Sequence, residues 1–212
     1  NFKTGGLAKY GLDYESLRKV NPRLIYCSIT GFGHTGPYAA YAGYDFIVQG
    51  MSGLMSITGE KDGQPMKAGV AVADLFTGIY SVIGILAALR HAEATGKGQH
   101  IDMALLDSQA GVLANQNMNY LATGISPKRI GNENPNIVPY EVVPVADGHI
   151  LLAVGNDGQF ERACKILGLD TLPADPRFAT NEARVENREL LRTFITPATR
   201  RFAKKELLAA CE

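Results

Sequence analysis

The sequence has no excess of charge of either sign: Lys plus Arg is 21 and Asp plus Glu is 21, a formal net charge of zero over 212 residues. No overall field draws the chain toward nucleic acid or an anionic membrane surface, so neither is an expected partner. Cysteine is scarce. Cys27, Cys164 and Cys211 are odd in number, far apart and without CxxC or Cys/His ligand spacing, which argues for buried free thiols in a reducing cytosol and against a disulfide framework. The expected localisation is therefore cytoplasmic. His34, His91, His100 and His149 share no ligand spacing, so no metal site is expected. The longest apolar stretch, around Ile79 to Leu89, is short for a bilayer span and is interrupted by Ser81 and Gly84, so it reads as a buried helix. GxSxG, P-loop and HExxH motifs are all absent, and with them the nucleophile elbow, the phosphate cradle and the zincin site.

What remains is 46% hydrophobic and 20% charged, with 23 Gly and 10 Pro, the composition of an ordinary α/β or α+β protein. A chain of this length buries roughly 70% of its unfolded surface, enough for a core without metal or disulfide support. It opens Asn1-Phe2-Lys3 without Met and stops inside the apolar helical run Leu207–Cys211, the pattern of a piece of a longer protein.

Local chemistry places the elements. Asp13 followed by Glu15, with Arg18 and Lys19 one turn later and Asn21-Pro22 as a stop, predicts a short helix. Arg23–Ile29 is a β-branched and aromatic run feeding the loop Gly31-Phe32-Gly33, a buried strand and a glycine-rich turn. Helical spacing covers Tyr44 to Met55, weakened by Gly50 and Gly53. Asp74 opens the most apolar helix, and Thr95-Gly96-Lys97-Gly98-Gln99 turns it into the strand His100–Ala104, followed by a helix over roughly 106–121. Beyond the polar stretch Gly124 to Pro139, Asp147-Gly148 predicts a β-hairpin. Helices then follow over 157–167, from about 182 to 203 and over 205–211, broken at Pro197. The fold class is α/β: a Rossmann-like large domain with a parallel sheet over residues 1–138, and over 139–212 the start of a smaller α+β domain.

Asp74 is the carboxylate with the clearest chemical potential. It follows the small apolar run Ala68–Ala73 at the mouth of an apolar helix, where the helix N-terminus favours an anion and a partly desolvated carboxylate can act as a nucleophile. A plain N-cap accounts for the same residue. Tyr44 and Asp45 form a possible second polar pair, the phenol donating and the carboxylate orienting it, or else a solvent-facing pair at a helix start. Gly31-Phe32-Gly33 lies where open sheets bind ligands, but a lone GxG without a helix signature is equally a tight turn.

Taken in order, Tyr10-Gly11-Leu12, Asn21–Tyr26, Ser28–Gly33, Ala42–Asp45, Gly50–Gly53, Val72-Ala73-Asp74-Leu75-Phe76-Thr77-Gly78, Thr95–Gln99 and Ala146–His149 resemble the family III acyl-CoA transferases, which include formyl-CoA and L-carnitine CoA-transferases. The resemblance runs the length of the chain, and its ordered spacing is far more specific than any one motif. It implies that Asp74 is the catalytic nucleophile, attacking an acyl-CoA thioester to form a mixed anhydride and then an aspartyl-CoA thioester that an acceptor carboxylate resolves. It implies that Asn1, Phe2 and Lys9 lie along the CoA groove, with Tyr44 near the pantetheine arm and the active carboxylate, and Gly31, Phe32 and Asp45 complete the expected substrate- and CoA-binding set. Lys9 stands where family members commonly carry Arg, keeping the charge without the bidentate fork. The implied substrates are an acyl-CoA and a carboxylic acid, with no tightly bound cofactor, and the implied assembly is an interlocked homodimer.

The α-methylacyl-CoA racemases also resemble the chain and share the aspartate, but they pair it with a histidine across the α-carbon. That position is Tyr44 here, and a phenol with an ordinary pKa near 10 is a poor acid/base at neutral pH. The transferase reading is favoured for that reason. The third alternative is an acyl-CoA-binding subunit without turnover.

Overall fold

The computed structural model describes residues 2–211, and the chain divides into two compact units, Asn1–Arg129 and Ile130–Glu212. In the first, Asp13 caps helix α1 (Tyr14–Val20) by accepting the Ser16 amide at 3.0 Å. Strand β1 (Tyr26–Thr30) follows. The single helix expected from Tyr44 is two, α2 (Asp45–Met51) and α3 (Leu54–Ile57), because Gly53 takes φ 95° and turns the backbone out of one and into the next. Helix α4 (Val72–Thr95) ends at Gly96 with φ 73° and returns the chain to strand β2 (His100–Ala104), which pairs with β1 in parallel, Ser28 opposite Asp102. The crossover helix is what a parallel pair requires. The next expected helix is again divided, into α5 (Leu105–Val112) and α6 (Asn115–Thr123), at Ala114 with φ 48°. An alanine rarely adopts that conformation, so no residue type announced the break.

Helix α4 corrects the expectation of a short buried helix. Its Asp74, Thr77, Arg90 and His91 interrupt the apolar run in sequence without ending the helix, which reaches 24 residues. Among the described residues it is the one helix long and apolar enough, by length and composition, to cross a membrane, and 22% of its most apolar window is buried. The buried positions are small: Ala73, Thr77, Ser81, Ala88 and Ala92 face α2, α5 and the two strands. Most large ones, Leu75, Ile79, Val82, Ile83, Leu86 and Leu89, are exposed, and Phe76 and Ile85 are half-buried. The small stripe brings the helix close to the sheet, where a Cβ on Gly84 would stand 3.2 Å from the Ile101 side chain. The main core cluster of this unit has three buried members, Val48, Ala73 and Leu105.

The second unit has a fuller core of fifteen buried residues, among them Val138, Phe160, Cys164, Phe178, Leu191 and Leu207. Strands β3 (Tyr140–Val145) and β4 (Gly148–Ala153) form the expected antiparallel hairpin, closed by Ala146-Asp147 with Gly148 at φ 141°. Helix α7 (Asp157–Leu167) is capped by Asn156 and stopped by Gly168. Helices α8 (Asn181–Glu186), α9 (Arg188–Thr199) and α10 (Lys204–Cys211) complete it. Pro197 does not break α9 but sits in its last turn, where the cost is a single backbone hydrogen bond. The polar segment from Ile130 folds with this unit. Glu133 pairs with Arg188 at 2.9 Å and Arg192 at 2.6 Å, and Val138 is core. The three thiols are free, but only Cys164 is buried; Cys27 is half-buried and Cys211 exposed.

Candidate active site

The N-terminus of α4 leaves its first amides without intrahelical acceptors, and the residue before the helix, Ala71, has no side chain to accept from them. The acceptor comes from another helix. Asp45, first residue of α2, takes the Ala73 amide on Oδ1 at 2.8 Å, and its Oδ2 accepts from Gln49 Nε2 at 2.6 Å. Gln49, one turn further along α2 and 0% exposed, accepts the Ala68 amide at 2.8 Å and donates to the Val70 carbonyl at 3.4 Å. One helix thus fixes the irregular approach to α4.

Asp74 is the third residue of α4 and not its cap. Its carboxylate is exposed and has no hydrogen-bond partner among the described residues. Partial burial, and after it the negative charge of Asp45, hold its pKa above the ordinary value of 3.8. Both effects disfavour the anion.

Gly31, at the end of β1, and Gly43, just before α2, touch backbone to backbone: a Cβ on Gly31 would lie 2.4 Å from Gly43 Cα, and one on Gly43 would lie 2.6 Å from Gly31 Cα. Only glycines permit this approach. It sets Tyr44 and Asp45 against the strand end, and a cleft of about 340 Å³ opens there, lined by Phe2, Lys3, Gly31, Tyr41 and Tyr44 among others. Tyr44 is 71% exposed. Of the two readings the sequence left open, Tyr44 takes the solvent-facing one, and the Asp45 oxygens accept from Ala73 and Gln49. Of the other expected groove residues, Phe32 lines a separate hollow with Tyr38 and Asp102. Lys9 lies over the Tyr10 ring at 4.8 Å and lines neither space, whereas Lys3 lines the cleft. Asn1 falls outside the described residues. The Gly33 amide donates to Thr30 Oγ1 at 2.8 Å, which makes Gly31-Phe32-Gly33 a tight turn.

Two sets of residues were not singled out by sequence. Gln49 was missed, although its spacing of four from Asp45 on a helix was a usable signal. The other set, Tyr14, Tyr26, His34 and His100, lines with the expected Phe2 a larger cleft of about 560 Å³ beside β1. There His100 Nε2 meets Ser28 Oγ at 2.9 Å, stacks on Tyr14 at 5.2 Å and meets the His34 ring edge-on at 5.3 Å. Burial first, and His34 second, push the His100 pKa below 6.5. The parallel register of β1 and β2 brings these groups together, and no linear spacing carries that information. Among the described residues no three His, Cys, Asp or Glu side chains converge as a metal site.

The chain has known relatives. A family model for CoA-transferase family III matches residues 1–212. A succinate–glutarate CoA-transferase of Agrobacterium fabrum is 69% identical over 212 residues, which are 100% of this chain and 53% of that protein. A mouse succinyl-CoA:glutarate CoA-transferase is 46% identical over 191 residues, 90% of this chain and 44% of that one. Among solved structures, a CAIB/BAIF family protein from Brucella suis is similar at TM-score 0.79 and 61% identity, over 100% of this chain and 56% of its own. The chain spans about half the length of the curated relatives it matches.

Proposed function

Because the chain belongs to CoA-transferase family III, we propose that the protein moves CoA between an acyl-CoA thioester and a carboxylic acid, with Asp74 as the covalent nucleophile. The observation that carries this reading is the free Asp74 carboxylate at the mouth of a 24-residue helix whose cap is supplied elsewhere. A carboxylate with no structural bond to break can attack without disrupting the fold.

An Asp74 oxygen adds to the thioester carbonyl and expels CoA thiolate, leaving a mixed anhydride. The thiolate returns to the aspartyl carbonyl, releasing the donor acid and forming an aspartyl-CoA thioester. The acceptor carboxylate attacks that carbonyl and again expels thiolate. Attack of the thiolate on the acceptor acyl carbon gives the new acyl-CoA and restores Asp74. Each displacement replaces a direct exchange between two anions by an easier step, and the amides at the start of α4 favour the oxyanions that form beside them.

The curated relatives named for succinate and glutarate support short dicarboxylic acids as donor and acceptor. Phe2, Lys3 and Tyr44 around the cleft at the end of β1 fit a thioester arm with a cation beside it. The exposed large residues on α4 support a further protein surface covering that helix in the assembled enzyme, as an interlocked homodimer supplies.

The test is mass spectrometry of the intact protein incubated with acyl-CoA thioesters, succinyl-CoA and glutaryl-CoA first, in the presence of hydroxylamine. A hydroxamate at Asp74 that disappears in Asp74→Ala is the expected result. No adduct with any thioester, together with solvent deuterium entering the α-carbon, would replace this reading by the racemase.

A further inference from the structure

We propose that Asp45 and Gln49 are positioning residues for Asp74, holding the start of α4 in place and presenting a like charge to the reactive carboxylate. The proposal rests on Asp74 as the nucleophile. Three features of the geometry carry it.

First, the support is built for shape. Residues 66–71 have no regular secondary structure, yet Ala68, Val70 and Ala73 are each hydrogen-bonded to one of these two α2 side chains. Gln49 and Ala73 are 0% exposed, Asp45 and Ala68 are half-buried and Val70 is exposed, so the Gln49 and Ala73 ends of these bonds are shielded and cost most to leave unpaired.

Second, the support relieves Asp74 of the usual work of its position. An acidic residue in the first turn ordinarily turns back on free amides. Here Asp45 Oδ1 takes the Ala73 amide, so both Asp74 oxygens stay available.

Third, the cap is itself an anion next to the reacting group. Anhydride formation turns the Asp74 carboxylate into a neutral acyl group, so the repulsion from Asp45 is relieved as the bond forms. Of the elements packed on α4, β1 carries Tyr26 and Cys27, β2 carries His100 and Asp102, and α5 carries Asp107. The causes of the upward shift of Asp74 are its burial and Asp45. A neutral amide at position 45 would cap equally well, so the choice of a carboxylate has an electrostatic consequence that a cap alone does not require.

The test separates charge from shape in the intact protein. The double variant Asp45→Asn/Gln49→Glu keeps an acceptor for the Ala73 amide, an acceptor for the Ala68 amide and a bond between the two side chains; it gives up the 3.4 Å bond to the Val70 carbonyl and moves the negative charge from position 45 to position 49, one helical turn away. Asp74 is titrated without substrate by carbodiimide coupling across a pH series, read on its peptide by mass spectrometry. Adduct formation with succinyl-CoA and hydroxylamine is timed separately.

The expected result is a lower Asp74 midpoint in the double variant and adduct formation slower by about tenfold. Gln49→Leu, which leaves the charge and removes the tether, is expected to slow the adduct by about tenfold or more through misplacement. An unchanged Asp74 midpoint in the double variant overturns the electrostatic role. A wild-type adduct rate in Gln49→Leu overturns the positional one. Absence of any adduct in the unmodified protein would defeat the transferase reading instead, and the substrate-free titration would still report on Asp45.

Discussion

Replacing Gly31 by Ala tests whether the backbone contact with Gly43 governs the site. The new Cβ would stand 2.4 Å from Gly43 Cα and 2.5 Å from Gly43 N, where ordinary contact begins at 3.4 Å. Gly43 must then retreat by at least 3.4 − 2.4 = 1.0 Å, because neither obstacle is the flexible end of a side chain. Gly43 immediately precedes Tyr44 and Asp45. If the displacement passes along α2 undiminished, the Asp45–Ala73 bond of 2.8 Å lengthens toward 3.8 Å and ceases to be a hydrogen bond. The strain is expected to cost about 1–3 kcal/mol of stability, and an error of about 1 Å at a reacting group costs up to about 100-fold in rate. The assay is the rate of hydroxamate formation at Asp74 with succinyl-CoA, measured beside thermal unfolding. Gly111→Ala is the control, since its Cβ enters open space within α5. Gly31→Ala with the melting temperature and adduct rate of the unmodified protein would refute the reasoning, because the backbone would have absorbed the methyl without moving the site.

The remaining predictions concern buried polar groups. Arg184 is 0% exposed, donates to the Val138 and Phe178 carbonyls and to Asp157 at 2.7–2.9 Å, and lies 4.4 Å from the Phe160 ring centre. Arg184→Ala strands two carbonyls and opens a void, so it should lower the stability of the second unit by about 3–5 kcal/mol in hydrogen exchange; a loss below about 1 kcal/mol would show that water replaces the guanidinium. Gln109 is also 0% exposed, and neither amide atom has a hydrogen-bond partner among the described residues. Gln109→Met should therefore stabilise the first unit by about 1 kcal/mol or more in urea unfolding, and a clear destabilisation would reveal an unseen partner. Burial pushes the Cys164 thiol from 9.0 up to about 11. The stability that comes from burying the neutral thiol is thus complete below pH 9 and lost as the pH rises through about 11. At pH 8 a thiol reagent should label exposed Cys211 and spare Cys164 until the protein unfolds, and labelling of native Cys164 would contradict the buried site.

What the sequence made legible was local. The Asp13 cap, the Gly168 stop, the His100–Ala104 strand and the hairpin around Asp147 depend on residues within a turn of one another, and they stand where their spacing put them. Two helix breaks did not follow from composition: Gly53 was visible as a weak point, whereas Ala114 was not, since nothing about alanine predicts φ 48°. At the site, Asp74 and Tyr44 could be selected, the first from its helix and both from the family resemblance. The bond from the Ala73 amide to Asp45 could not, because it spans 28 residues. The outward apolar face of α4 was misread for a related reason. Periodicity tells which residues share a face, but the small stripe faces the sheet and the large residues face out, the reverse of a helix on a self-sufficient core.

That inversion bears on the chemistry as well as on assembly. A helix apolar on every side has to be buried somewhere, and a surface laid over Leu75 and Ile79 would also shield Asp74, one residue away in the chain. Withdrawal of water raises the energy of a carboxylate and strengthens its repulsion from Asp45. Both effects act in the direction already present in the single chain, where burial and Asp45 push the Asp74 pKa up. The covalent stages of the proposed cycle, anhydride and thioester, carry no charge on Asp74. If a partner surface covers α4 as proposed, it destabilises the free Asp74 carboxylate relative to its proposed acylated forms and links that cover to nucleophilicity. On this argument the carbodiimide midpoint of Asp74 lies higher in the assembled protein than in a form whose α4 surface has been opened by Ile79→Lys and Ile83→Lys. A midpoint that does not fall when α4 is opened would mean that the cover stops short of the active carboxylate.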